Sequence, residues 1–210
     1  MHSFSDSTIR DFLNQAASDA PVPGGGGIAA LVAALGASMA SMAANFTVDR
    51  PKFAEYDALM RDTLAKLSPL IDGLRDGMDA DARAFSGISL AYKLPRGTEE
   101  EKSARKAAIQ AALAASMREP MAVLEKCLAA AELLPSLAGA GNPNLLSDVE
   151  VAAIMLEAAA KAARTNVLVN SGQLAGDGAR QAETEADRIV AKTAALAASA
   201  IGVIAGRRKA

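Results

Sequence analysis

The chain has no tryptophan, one cysteine, one histidine and only 3% aromatic residues in 210. Aromatic and β-branched residues are the usual strand material, so their scarcity argues against a sheet. The one cysteine, Cys127, excludes an intrachain disulfide and leads to the expectation of a reducing, cytoplasmic setting. The lone histidine, His2, lies at the terminus, which argues against histidine-dependent triads and zinc sites. No metal or nucleotide cofactor is expected. The net charge of −2 provides no basic field, so neither nucleic acid nor an anionic membrane is an expected partner. Asp6 and Asp11 stand where a signal peptide would carry basic residues, and none is expected.

What the chain does have is alanine. It dominates the 51% apolar fraction, and it is the best helix former. The expected fold is all-α, a single-domain bundle over residues 1–210 of long, mostly antiparallel helices, some of them kinked. Breakers divide it. A short amphipathic helix capped by Ser7 carries Ile9, Phe12, Leu13 and Ala16, and a buried helix spans about Gly26 to Asn45. Pro51 starts a helix that Ser68-Pro69 kinks or divides before it reaches Tyr92. Thr98 and Glu101 form a capping box for a helix that kinks at Pro120 and ends near Pro135. A loop over 139–144 precedes a second box, Ser147 with Glu150, and a helix to about Asn170. The last helix covers roughly Gln181 to Ala205, with Arg207, Arg208 and Lys209 complementing its C-terminal dipole.

Between Ala20 and Val48 there is no charge, a length that would span a bilayer. Its residues are mostly Ala, Gly and Ser rather than Leu and Ile, which fits the centre of a bundle better than lipid. This segment opens with Pro21-Val22-Pro23 and four glycines, Gly24 to Gly27. Such a loop lets another group approach the backbone closely, and it leaves unpaired N–H groups at a helix start, suited to an anion or a carbonyl oxygen. A tight entry into a buried helix explains the spacing equally well. No Gly-Lys-Ser/Thr follows, so it is not a Walker loop, and no strand precedes it, so it is not a dinucleotide fingerprint.

Polar residues in apolar seams mark candidate chemistry. Leu70, Leu74, Gly77, Asp81, Ala84, Ile88 and Ala91 follow steps of four and three, one face of a helix. Asp81 is therefore a carboxylate on the core-facing stripe, where desolvation would raise its pKa toward that of a working acid or base. A structural Asp bonded to a cap or an arginine is the alternative. Asp79 points about 200° away and shares an outer stripe with Asp72, Asp76 and Arg83. Asn166 and Asn170 face the same side as Ala152, Met155, Ala159 and Ala163, placed to read a heterocycle edge or to bond between helices. Asp148 reads most simply as an acidic first-turn residue, and Cys127 as an inert core thiol.

Several segments together resemble the formiminotetrahydrofolate cyclodeaminase and methenyltetrahydrofolate cyclohydrolase family. They are Pro23 to Gly27, Asp79-Ala80-Asp81-Ala82-Arg83-Ala84-Phe85, Lys93-Leu94-Pro95, Gly141-Asn142-Pro143-Asn144, Ser147-Asp148 and Asn166 to Asn170. They run in order over nearly the whole chain. The resemblance implies a stand-alone helical domain that forms a homodimer and takes a tetrahydrofolate derivative as substrate, with Asp81 as general acid/base. It implies substrate contacts from Pro23, Gly24, Gly25, Gly26, Gly27, Asn45, Lys93, Asn142, Asn144, Asp148, Asn166 and Asn170. Arg50, Lys52 and Lys93 are candidates for the glutamate tail, or ordinary solvated charge. Gly27 stands where cyclodeaminases tend to carry serine and looks like the stand-alone cyclohydrolases. Residues 79–85 look closer to cyclodeaminases, and Asp49 stands where glycine is common. The expected activity is methenyltetrahydrofolate cyclohydrolase, with ammonia-releasing cyclodeaminase as the alternative. A non-enzymatic helical adaptor is the competing class.

Overall fold

Residues 3–174 and 177–209 are described by the computed structural model. His2 lies outside them. Among the described residues the fold is all-α. The helices are α1 (Ile9–Ala16), α2 (Gly25–Asn45), α3 (Asp57–Tyr92), α4 (Glu99–Ser116), α5 (Arg118–Ala131), α6 (Leu134–Ala140), α7 (Leu146–Ser171) and α8 (Asp177–Arg207), with 3₁₀ turns at Phe4–Asp6, Pro51–Tyr56 and Pro143–Leu145.

The uncharged α2 is the central element. It packs against α3 on one side and α7 on the other, and α7 packs in turn on α5 and α8. Ala30, Ala33, Ala37, Ala40 and Ala43 are fully buried along it. At Gly36 a β-carbon would sit 3.1 Å from atoms of Leu156 and Met155, so this glycine sets how closely α2 and α7 approach. Both α2 and α8 are long and apolar enough to cross a membrane, by length and composition alone. Packing within the bundle accounts for the alanine-rich side of α2, and 56% of its apolar window is buried there.

Several boundaries differ from expectation for local reasons. Thr8, not Ser7, caps α1, its hydroxyl accepting from the Asp11 N–H. The Thr98–Glu101 capping box forms as expected. Ser147 caps nothing: the Asn142-Pro143 turn starts α7 two residues earlier, and Ser147 lies inside it. α3 runs through Pro69 without a break. The kink expected at Pro120 is a break at Met117, with Pro120 in the first turn of α5, where a missing N–H costs no hydrogen bond. Gly139 and Ala140 belong to α6 rather than to a loop. Arg207 serves that helix rather than the end of its own, donating to the carbonyls of Ala138 (2.6 Å) and Gly141 (3.0 Å). Arg208 pairs with Glu150 at 2.8 Å. Asp49 adopts a φ of 57°, the left-handed region that favours glycine.

The core face of α3 is rotated slightly from the expected stripe. Met60, Leu67, Leu74, Met78 and Ala82 are buried, which leaves Asp81 half-buried at the edge of the core rather than in it. Asp79 is not part of a solvated stripe. Its carboxylate accepts from Ser3 Oγ (2.5 Å) and the Phe4 N–H (2.7 Å), and so ties down the N-terminal turn. Phe4 is buried there, edge-on to Phe12 with centroids 5.9 Å apart.

Candidate functional site

The glycine loop and Asp81 meet. Gly24 is the N-cap of α2 in extended conformation, and Gly25, Gly26 and Gly27 form the first turn. The Gly27 N–H donates to Asp81 Oδ2 at 3.0 Å. The N–H groups of Gly25 and Gly26 have no partner within the helix, because the first turn has no preceding carbonyls to receive them. A β-carbon on Gly26 would lie 2.0 Å from Asp81 Oδ1, while one on Gly25 would lie 3.2 Å from Asn166 Oδ1. Gly26 is thus glycine because the Asp81 carboxylate occupies the space beside it. Gln15 Nε2 holds the approach to the loop through the Val22 carbonyl at 3.1 Å.

These groups line a cleft of about 230 Å³ between α3 and α7, over the N-terminus of α2. Its polar residues are Asp81, Asn166, Asn170 and Ser116, and its apolar walls include Val22, Ala84, Phe85, Ile88 and Val169. Drug-sized ligands occupy roughly 300–1,000 Å³, so the cleft suits one ring system rather than a whole large molecule. Pro23 is buried under the loop and shapes it without lining the cleft. Asn166 spends one amide donor on the Ala162 carbonyl at 2.9 Å, while the Asn170 side chain makes no hydrogen bond to another described residue.

Among the described residues, Asp81 is the only charged one lining the cleft. Burial pushes its carboxyl above the ordinary range, the Gly27 N–H partly offsets this, and the negative charge of Glu119 adds to the rise. A carboxyl so placed holds a proton more readily than a solvated one, and when ionised it attracts a cation strongly. Among the described residues no group of three or more His, Cys, Asp or Glu side chains is placed to hold a metal ion. Cys127 is buried with its thiol pushed up to about 12, so it is inert at neutral pH.

Five sequence-derived candidates lie elsewhere in the chain. Asn45 is at the far end of α2, about 30 Å from Gly25 at 1.5 Å per residue, and its amide bonds back to the Ser41 carbonyl. Asn142 is structural: its N–H donates to Thr47 Oγ1, its amide donates to the Phe46 carbonyl, and its Oδ1 accepts from the Asn144 N–H. Asn142 and Asn144 border a separate groove with Phe46, Arg50 and Lys52. Asp148 sits in the first turn of α7, remote from Asn166 on the same helix. Lys93 is an exposed C-cap of α3, about 18 Å along the helix from Asp81. Phe85 and Val169 lie in segments that carry the resemblance but are not among the site residues it implies. Each lies one helical turn from a residue that is, Asp81 and Asn166, which is the signal that would have found them.

An all-α bundle with a glycine-rich helix start closed onto a half-buried aspartate defines a family, and comparison with known proteins supplies it. Residues 8–188 match the formiminotransferase-cyclodeaminase family model, and the chain belongs to that family. The chain is 40% identical over 164 residues to a methenyltetrahydrofolate cyclohydrolase of Methylorubrum extorquens, covering 78% of this chain and 79% of that protein. It is 37% identical over 172 residues to the mouse formimidoyltransferase-cyclodeaminase, covering 82% of this chain but 32% of the mouse protein. The fold matches the crystal structure of a formiminotetrahydrofolate cyclodeaminase from Thermotoga maritima, with a TM-score of 0.85, 26% identity and coverage of 96% and 97% of the two chains.

Proposed function

We propose that this enzyme is a methenyltetrahydrofolate cyclohydrolase, interconverting 5,10-methenyl- and 10-formyl-tetrahydrofolate with water. The observation that carries the reading is the Asp81 carboxylate, the one charged group among the described residues lining the cleft, held by a helix N-terminus. The methenyl bridge is an amidinium cation, already electrophilic, so it needs neither a metal nor a nucleophilic side chain. The Asp81 carboxylate attracts that cation and takes a proton from water as the new C–O bond forms. The C–N5 bond then breaks as Asp81 returns its proton to N5, and the adduct hydroxyl releases its own proton as the formyl C=O forms. One proton is released overall. The N–H groups of Gly25 and Gly26 are the donors available to an oxygen of substrate or adduct, and the amides of Asn166 and Asn170 to the pterin edge.

The cyclodeaminase reading uses the same carboxyl to protonate departing ammonia. Gly27 bears on the choice. A β-carbon there would meet Pro23, Met78 and Asp81 at 3.5–3.9 Å, ordinary contact distances, so a serine would fit beside Asp81 and this chain lacks its hydroxyl. The similarity to the cyclohydrolase of M. extorquens also supports the first reading.

The protein acts as a cytoplasmic homodimer in this account. Supporting the pairing, the solvent side of α2 carries Leu31, Leu35, Met39 and Met42 with no charge, and Leu35 is 46% exposed. Val151 and Ile154 of the adjacent α7 are exposed as well. An isologous pairing of α2 with its antiparallel copy would cover this stripe. It would bring the Asn45 end of one protomer toward the Gly25 end of the other.

The test assays both substrates side by side. Loss of methenyl absorbance faster than the spontaneous reaction, with little ammonia from 5-formimino-tetrahydrofolate, supports the cyclohydrolase. Ammonia release that outpaces methenyl hydrolysis selects the cyclodeaminase, and neither reaction selects the adaptor.

A further inference from the structure

The two walls of the cleft belong to α3 and α7, and both pack on α2 rather than extensively on each other. A hydrogen bond at one end of the cleft joins them directly. Tyr92, the last residue of α3, donates its hydroxyl to Gln173 Oε1 at 3.1 Å. Gln173 follows the end of α7, and its N–H donates to the Asn170 carbonyl at 3.3 Å. Gln110 of α4 donates to the Gln173 carbonyl at 3.0 Å, fixing the same residue from a third helix. The Tyr92 ring is itself held: the Arg105 guanidinium lies 5.5 Å from its centroid and donates to the Tyr92 carbonyl at 3.0 Å.

We propose that Tyr92 and Gln173 are positioning residues that clasp α3 to α7 and so set where Asn170 stands across the cleft from Phe85 and Ile88. Tyr92 lies one turn beyond Ile88, and Gln173 lies three residues beyond Asn170, so the clasp acts on the last turn of each wall. Both partners are exposed, so water competes for the bond and the clasp opens readily. Its contribution falls on binding of the ring system between the walls and not on proton transfer at Asp81, which the Gly27 N–H holds separately. The kinetic part of this inference rests on the proposed folate activity.

Tyr92→Phe keeps the ring and its Arg105 contact while removing the hydroxyl. The expected result is a KM for 5,10-methenyl-tetrahydrofolate raised about fivefold, with kcat within about twofold of the parent and Tm unchanged within about a degree. Gln173→Ala gives a similar rise, and the double variant is no worse than either single one, because both remove the same bond. Amide hydrogen exchange over residues 168–174 speeds up in Tyr92→Phe without any substrate present. Unchanged exchange, additive effects, or a fall in kcat with KM constant would each overturn the clasp. If the unaltered protein turns over neither folate substrate, the proposed function fails, and the exchange measurement still decides the clasp.

Discussion

A β-carbon on Gly26 would fall 2.0 Å from Asp81 Oδ1, which makes these two residues, 55 positions apart, a single structural unit. The glycine start of α2 is shaped around a carboxylate from α3, and the adjacent Gly27 N–H then binds it. Gly26→Ala therefore displaces the carboxylate from its seat. Turnover should fall by roughly a hundredfold with the helical circular dichroism retained, whereas Gly24→Ala, with its nearest neighbour 3.7 Å away, should fall less than about threefold. Steady-state kinetics of the two variants check this, and equal losses would refute it.

Asp79 carries a separate prediction. Its carboxylate receives two hydrogen bonds from residues 75 and 76 positions away, so it anchors the N-terminal turn. Asp79→Ala should release Ser3 to Asp6 and expose Phe4, lowering stability by about 1–3 kcal/mol. Faster proteolysis before Phe12 and an earlier urea midpoint are the measurements. Turnover per folded molecule should change little.

Much of this was legible in the sequence, and the failures share a cause. Asp81 stood out because its position on a helix face follows from spacing alone, and the glycine run because few other structures require it. Thr98 was legible as a cap because its partner Glu101 is three residues away. Asp79 was misread because its partners come from the distant N-terminus, which no periodicity reports. Ser147 matched a capping pattern, but the Asn142-Pro143 turn, braced by Thr47, fixed the start of α7 first. Asn142 and Asn144 match the family's motif, yet the length of α2 separates them from Asp81 within one chain.

That separation motivates a test of the α2 stripe. Leu35→Glu places a carboxylate on the uncharged face proposed to pair with its own copy. Light scattering should show a dimer for the parent protein and a monomer for the variant, with helix content retained. A monomeric parent protein would remove the pairing.

The pH dependence of stability follows from the raised pKa of Asp81. Below about pH 3 the group is protonated both folded and unfolded and has no effect on stability. As pH rises from the ordinary carboxylate value to the folded pKa, the unfolded chain ionises while the folded one keeps its proton, so the carboxyl increasingly disfavours the folded state until both are ionised. Asp81→Asn removes this penalty while keeping an acceptor for the Gly27 N–H. Its Tm should exceed the parent's at pH 7, and the gain should vanish below about pH 3. A gain that persists undiminished in acid would contradict the assignment.

The central claim is that Asp81 moves the proton. Turnover of 5,10-methenyl-tetrahydrofolate by Asp81→Asn, corrected for spontaneous hydrolysis, tests it most directly. The account predicts a kcat reduced about a hundredfold or more, with substrate affinity reduced far less. A folded Asp81→Asn variant that retains kcat within about threefold of the parent would contradict it.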